Sequence, residues 1–186
     1  MKARFLVLLV LALLVGGCAS QIRTLDLMWE RENQQLYEKL GTRDYQGVSK
    51  EQAMNALAIT FKRLDLIMSN SDYRAGTLTA SAKAPKPLSY AEFKVVEEVE
   101  GPRSSSVVWF MTWGAFSSFD SILNAVVLET EGGVQVSVRG KLQFTGSTLE
   151  MIPVTQFPPK ALEIGLRKLW DEYDKNIFVQ KKTLAY

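Results

Sequence analysis

The sequence predicts an α+β fold, an antiparallel sheet with helices packed on one of its faces. Two serine-led capping boxes precede amphipathic stretches, an arrangement that marks the starts of helices. Between residues 134 and 144, apolar and polar residues alternate with a period of two, which is typical of a strand with one buried face. An apolar stripe at helical spacing over residues 162–177 predicts a long closing helix.

The amino end has the pattern of a secretory signal. Lys2 and Arg4 make it basic, and the run from Phe5 to Val15 is entirely apolar. A basic start, about 7–15 apolar residues and a small-residue cleavage site define such a signal. The run is too short for a membrane-spanning helix, which needs about 20 apolar residues. We therefore expect residues 1–17 to be a signal peptide.

The residues that end this segment resemble the lipobox of bacterial lipoproteins. Residues 15–18, with the sequence VGGC, place small residues directly before the only cysteine of the chain. The resemblance implies that the Cys18 thiol receives a diacylglycerol, and that the amino group freed by cleavage is acylated, for instance with palmitate. Two or more chains anchor a protein stably. The resemblance also implies transfer to the outer membrane, facing the periplasm, because Ala19 and Ser20 lack the aspartate that retains members of that family in the inner membrane.

Removal of this leader changes the charge of the chain. The sequence has 22 basic and 20 acidic residues, and loss of Lys2 and Arg4 leaves 20 of each. A neutral chain without a basic stripe lacks the electrostatic footprint of a nucleic-acid-binding protein, so we expect no nucleic-acid partner. With Cys18 lipidated no disulfide can form, and packing alone must stabilise the fold.

We expect residues 18–45 to form a lipid-anchored tether with an amphipathic helix, and residues 46–186 to form the α+β domain. The helical pattern in this tether rests on Leu25, Met28, Trp29, Leu36 and Leu40, and Gly41 follows as a stop signal. Two alternatives stay open. The segment is either a first packed helix of the domain or a stalk that lies against the membrane or a partner.

Both capping boxes have serine at the N-cap and glutamine or glutamate three residues later. Ser49 with Gln52 predicts a helix over 50–65, and Ser89 with Glu92 predicts a short helix to about Glu100. Between them the pattern predicts a strand at 65–69, a turn at 70–72, a strand at 76–81 and a break at 84–87.

A strand over 121–131 and the alternating strand over 134–144 are predicted to form a hairpin. In the first strand, the alternation places Ile122, Val126 and Leu128 on the same face. A three-residue loop at 131–133 sets Val126 and Leu128 opposite valines, whereas a two-residue loop at the glycines would set glutamates there. A slip of one residue turns every side chain to the other face. We therefore predict the three-residue loop, with one glycine in the left-handed conformation.

Pro158 and Pro159 predict the start of the closing helix, because proline suits the first helical turn. Its apolar stripe consists of Leu162, Leu166, Leu169, Trp170, Tyr173 and Ile177. The element order loosely resembles the helix-grip domains of Gram-negative envelope lipoproteins, such as the C-subunit lipoprotein of the β-barrel assembly machine. The helix ending near Leu64, the strand at 76–80 and the closing helix at 166–173 carry this resemblance. It implies a fold and does not carry function.

The composition excludes several kinds of catalysis. The chain has no histidine and a single cysteine, so triads based on histidine, thiolate nucleophiles and zinc sites of His or Cys cannot form in the mature chain. Carboxylates remain, in a cluster at Glu97, Glu98 and Glu100 and on the closing helix at Asp171, Glu172 and Asp174. A solvated helix face is the favoured interpretation of both groups. We expect no enzymatic activity, no cofactor and no metal site.

The stretch from residue 107 to residue 119 is rich in tryptophan and phenylalanine. Three interpretations compete: a strand buried in the core, an apolar pocket between the sheet and the closing helix, or an exposed patch that docks a partner or membrane. The candidate residues for an apolar ligand or a partner surface are Trp109, Trp113, Phe116, Phe119 and Trp170.

Together these patterns predict a lipid-anchored outer-membrane protein that faces the periplasm and contributes to an envelope assembly by protein–protein contact. The alternative is a binding module that holds a lipid or another apolar ligand between the sheet and the closing helix. The membrane, through Cys18, and an envelope protein are the expected partners.

Overall fold

A five-stranded antiparallel sheet forms the centre of the computed structural model, which describes residues 23–103, 119–145 and 154–183. Helices pack against the sheet, so the predicted α+β class is confirmed. Cys18, Trp109, Trp113 and Phe116 lie outside the described residues.

The described helices and strands occur in the following order along the chain. They are α1 (23–40), β1 (Thr42–Gln46), α2 (Lys50–Arg63), β2 (Ile67–Asp72), β3 (Thr77–Lys83), α3 (Tyr90–Glu100), β4 (Phe119–Thr130), β5 (Gly133–Phe144) and α4 (Pro159–Thr183). A short 3-10 helix, Gly101–Arg103, follows α3. The strand order is β1-β5-β4-β3-β2, so β1 and β2 are the edges of the sheet.

Both predicted capping boxes are present. The Ser49 hydroxyl accepts the N–H of Gln52, and the Gln52 side chain accepts the N–H of Ser49. Ser89 and Glu92 make the same two bonds at the start of α3. Each box satisfies N–H groups that a first helical turn leaves without a partner. Both helices therefore begin where the sequence predicts them.

The turn between β2 and β3 lies later than predicted. The sequence predicts a turn at 70–72, whereas β2 continues through Asp72 and the chain turns at 73–76. The Asp72 carboxylate accepts the N–H of Ala75 at 2.9 Å, which fixes an aspartate-initiated turn. Gly76 then takes a φ of +74°, in the region that favours glycine.

β5 has the predicted alternation, with Val134, Val136, Val138 and Leu142 buried. For β4, which pairs with β5, the prediction of which face is buried is wrong. In β4 the buried side chains are those of Phe119, Ser121, Leu123, Ala125 and Val127, and Leu128 is half exposed on the opposite face. β4 carries apolar residues on both faces, and a period of two cannot then show which face is buried.

The predicted three-residue hairpin loop is also wrong. The loop has two residues, Glu131 and Gly132, and Thr130 pairs with Gly133. The predicted left-handed glycine is present, because Gly132 has a φ of +82°. This register sets Val127 opposite Val136 on the buried face. The glutamates that argue against a two-residue loop, Glu129 and Glu131, are exposed at the turn of the hairpin.

Helix α1 packs on the rest of the fold, which corresponds to the first of the two alternatives for this segment. Trp29 is fully buried. The Tyr37 hydroxyl accepts the N–H of Gly140 and donates to its carbonyl, both at 2.9 Å, beyond the end of β1. The phenol thus covers an edge of β5 that would otherwise be unpaired. β1 itself, with the polar sequence TRDYQ, is not among the predicted strands.

The closing helix α4 begins at Pro159, and the whole predicted stripe from Leu162 to Ile177 is buried. A buried polar pair lies where α4 meets α2. The Asn176 Nδ2 group donates to the Thr60 hydroxyl at 2.9 Å, and this hydroxyl donates to the Ala56 carbonyl at 2.7 Å. The Tyr173 hydroxyl also donates to the Ala53 carbonyl at 3.4 Å, so the buried contact between the two helices is mainly apolar with a few hydrogen bonds.

Candidate functional site

An apolar cleft lies between β4, the turn at 84–88 and the first half of α4. Its empty space, including solvent at its open side, is about 450 Å³. The lining residues are Pro85, Lys86, Pro87, Leu88, Ser121, Leu123, Phe157, Ala161, Leu162, Gly165, Leu166 and Leu169. Only a small part of this space is wide enough to hold a water molecule, so the cleft is narrow.

Gly165 leaves space on the α4 side of the apolar cleft. A β-carbon at this position would lie 3.6 Å from Leu88 Cδ1, an ordinary van der Waals distance, and it would meet nothing closer. Close packing therefore does not require glycine here. Glycine inside a helix costs about 0.5–1 kcal/mol relative to alanine. What it provides at this position is open space between α4 and the turn.

The turn at 84–88 forms the opposite wall and is held from two sides. The Ala84 N–H donates to the Phe119 carbonyl at 3.0 Å, which joins the turn to the start of β4. The Lys86 ammonium group forms an ion pair with the Asp65 carboxylate after α2. The hydrogen bond and charge of Lys86 lower the pKa of the Asp65 carboxyl.

Phe157 forms the inner end of the apolar cleft and depends on a glycine in β5. A β-carbon at Gly140 would lie 2.6 Å from Leu123 Cδ2 and 2.8 Å from Phe157 Cε2. Gly140 thus allows both side chains to approach the strand. Asn33 of α1 donates its Nδ2 hydrogen to the Phe157 carbonyl at 2.8 Å. Helix α1 therefore fixes the backbone of a residue that lines the cleft.

Asp26 strengthens this attachment of α1. Its Oδ1 atom accepts the N–H groups of Thr155 and Gln156, and its Oδ2 atom accepts the Thr155 hydroxyl, each at 3.0 Å. In the same part of α1, the Trp29 Nε1 and Asn33 Oδ1 atoms are buried and have no hydrogen-bond partner within the described ranges. The segment before α4 is thus held by polar contacts from one helix.

Two polar side chains line the otherwise apolar cleft. Ser121 is only 1% exposed, and its hydroxyl makes no hydrogen bond within the part of the chain that the structure describes. The Lys86 side chain is 47% exposed, so its ammonium group lies at the solvent side. A cleft that is apolar with a few polar groups is the usual form of a small-molecule site.

The predicted site residues that the structure describes do not line this cleft. Phe119 is buried at the start of β4. Trp170 is also buried, its indole N–H donates to the Leu40 carbonyl, and the Arg43 guanidinium lies 5.1 Å from the centre of its ring. Both side chains therefore belong to the core. Cys18, Trp109, Trp113 and Phe116 are outside the described residues.

The expectation of a solvated face is wrong for one member of the carboxylate cluster. Glu100 is 1% exposed, and its carboxylate accepts the Lys160 N–H at 2.9 Å at the start of α4. Arg103 forms ion pairs with both Glu100 and Glu32. Burial raises the pKa of Glu100, while the Lys160 hydrogen bond and Arg103 lower it. These contacts are those of a helix cap that joins α1, α3 and α4.

The other carboxylates match the expectation. Glu98 is exposed, and Glu97 pairs with Lys94 at 2.6 Å on the surface of α3. On α4, Asp171 and Asp174 are exposed, and Glu172 is paired with Arg63 at 2.8 Å. Among the described residues no group of three or more potential ligands could hold a metal ion.

Sequence reasoning missed the residues that line the cleft. Gly165 was the available signal, since it interrupts the apolar stripe of a long helix. The prolines at 85 and 87 predict a break in regular structure, but they do not predict a wall of a cleft. Their approach to α4 depends on the tertiary fold, because 76 residues or more separate them from Gly165 along the chain.

Comparison of the chain with protein-family models finds no matching family, and a search among curated proteins finds no significant match. Within the described ranges, no helix is both long and apolar enough to cross a membrane.

Proposed function

We propose that this protein is a lipid-anchored outer-membrane protein, facing the periplasm, whose domain binds an apolar ligand in the cleft beside α4. The anchor rests on the lipobox-like residues 15–18 and on Cys18. The ligand-binding role rests on one observation, the narrow apolar cleft that Gly165 keeps open. The domain acts by binding rather than by catalysis, and needs no cofactor or nucleic acid.

The cleft supports the ligand-binding role over the role in protein–protein contact. Its position between the sheet and the closing helix is that of the pocket considered from the sequence. Three of the residues suggested for a partner surface lie outside the described residues, and the other two are buried in the core. A contribution to an envelope assembly would then come through the ligand that the domain holds.

Photo-crosslinking tests the binding site. The mature protein is placed in phosphatidylcholine vesicles with a photoactivatable fatty alcohol, and labelled peptides are identified by mass spectrometry. We expect labels on the peptides that contain residues 85–88 and 161–169. Gly165→Met should abolish this labelling, because its side chain would fill the space next to Leu88.

Asp171→Leu is the matched control, since it adds an apolar side chain to the exposed part of the same helix. It should leave the labelling unchanged. Circular dichroism must show that both variants fold. Two results would exclude the cleft as the binding site. One is that the cleft peptides of the native protein are not labelled, and the other is that they are labelled equally in the native protein and in Gly165→Met.

Cys18→Ala tests the anchor separately. This variant should lose incorporation of a clickable fatty acid and leave the outer-membrane fraction, whereas Ser20→Ala should retain both properties. A Cys18→Ala protein that still fractionates with the outer membrane would show that the anchor lies elsewhere.

A further inference from the structure

The apolar cleft has one charged side chain in its lining, Lys86. Its aliphatic part borders the cleft, and its half-exposed ammonium group faces solvent. A long side chain of this kind covers apolar surface with its methylene groups while the charge stays in water. The cleft is thus apolar inside and positively charged at one point of its open side.

The partner of Lys86 is a carboxylate that does not itself line the cleft. Asp65 lies in the connection after α2, and its side chain is 68% exposed. Exposed ion pairs contribute little to stability, because water and salt screen them. Another carboxylate can therefore replace Asp65 at the ammonium group with little loss.

Lys168 and Glu92 form a second ion pair nearby, at 2.7 Å. Lys168 is close enough to Asp65 to help lower the pKa of its carboxyl. Lys168 and Glu92 line a neighbouring polar depression, whereas Lys86 lines the apolar cleft itself. Among the described residues, Lys86 is the charged side chain of this lining, so a ligand in the cleft has an ammonium group at its wall.

We infer that the ligand of the apolar cleft is a single-chain fatty acid, with its alkyl chain in the cleft and its carboxylate at Lys86. This inference rests on the proposed function and specifies its ligand. The narrow cleft favours one alkyl chain over two. The carboxylate is the same chemical group that Lys86 already binds in Asp65. A membrane supplies such chains, and the proposed anchor at Cys18 keeps the domain beside one.

The test compares two photoactivatable probes of the same chain length, a fatty acid and a fatty alcohol, on the mature protein in phosphatidylcholine vesicles. We expect the acid to label the cleft peptides roughly two- to fivefold more strongly than the alcohol, as one partly exposed ion pair would allow. The preference should decrease as the salt concentration rises.

Lys86→Met keeps the apolar part of the side chain and removes the charge, so it should abolish the preference for the acid while labelling by the alcohol persists. Lys94→Met removes an exposed lysine from α3, away from the cleft, and should leave the preference unchanged. Asp65→Asn frees Lys86 from its competitor and should increase labelling by the acid.

The outcomes separate this inference from the proposed function. Equal labelling by acid and alcohol, or a preference that survives Lys86→Met, would overturn the fatty-acid assignment and leave an apolar site in place. A fall in acid labelling in Asp65→Asn would contradict the exchange of carboxylates. Absence of labelling by either probe would refute the binding site itself.

Discussion

The buried hydrogen bond between Thr60 and Asn176 offers a quantitative test of how α4 is held. Both side chains are buried where α2 and α4 meet. Thr60→Val keeps the shape of the side chain but leaves the Asn176 amide without its acceptor. A buried polar group that loses its partner costs about 1–3 kcal/mol. Asn176→Leu should cost less, because the Thr60 hydroxyl keeps its bond to the Ala56 carbonyl.

The double variant is the informative one. With both polar groups replaced, nothing is left unsatisfied, so Thr60→Val with Asn176→Leu should cost less than the sum of the single changes, by about 0.5–3 kcal/mol. Each kcal/mol corresponds to roughly 2–4 °C in Tm for a chain of this size. Thr60→Val alone should therefore lower Tm by about 2–12 °C.

Urea titration followed by circular dichroism, together with thermal melts, measures all four proteins of this cycle. The m-values should agree, since none of the changes alters the surface exposed on unfolding. Additive effects of the two substitutions, or a Thr60→Val protein as stable as the native one, would refute the assignment of a structural hydrogen bond. The position of α4, and with it one wall of the apolar cleft, would then not depend on this hydrogen bond.

Three further predictions concern other parts of the fold. Gly140→Ala should lower the free energy of unfolding by about 1–3 kcal/mol in denaturant titration, because the new methyl group would overlap two core side chains. Gly165→Ala should instead raise the free energy of unfolding by about 0.4–1 kcal/mol. A more stable Gly140→Ala protein and a less stable Gly165→Ala protein would contradict the cleft geometry. Asp26→Ala removes three hydrogen bonds to residues 155–156 and should make α1 cleave faster in limited proteolysis, with Glu30→Ala, on the exposed side of α1, as a control. Burial raises the pKa of Glu100 above 4.5, so the contribution of Glu100 to stability falls as the pH rises from 4.5 through the raised pKa. Over this pH range, Glu100→Gln should become more stable relative to the native protein. If the difference in unfolding free energy between the two proteins does not change with pH, the carboxyl is not buried as described.

Local signals in the sequence predicted the helices well. The two capping boxes act within four residues, and they place the starts of α2 and α3 correctly. The α4 stripe is equally clear because one face of a long helix repeats its apolar residues over many turns. These features depend on residues that are close together in the sequence, so they can be predicted from the sequence.

The sheet was harder to predict because its pairing is not local. β4 has isoleucine, valine and leucine on the face away from the helices, while its buried face mixes Leu123 and Val127 with serine and alanine, so hydrophobicity did not identify the buried face. β1 is polar, and its pairing with β5 places it in the sheet. The apolar cleft is harder still to predict, because it forms between three segments that are far apart in the sequence.

The attachment of α1 limits where the cleft can act. If Cys18 is acylated, five Cα–Cα steps separate it from residue 23, where the described helix begins, and five steps span at most about 18 Å. Through Asn33 and Asp26, α1 is hydrogen bonded to the segment that carries Phe157, an inner wall of the cleft. The domain is then tied closely to the bilayer rather than hung from a long stalk. A ligand would then reach the cleft from that membrane, which is the reason for proposing a single-chain amphiphile of the same leaflet as the occupant.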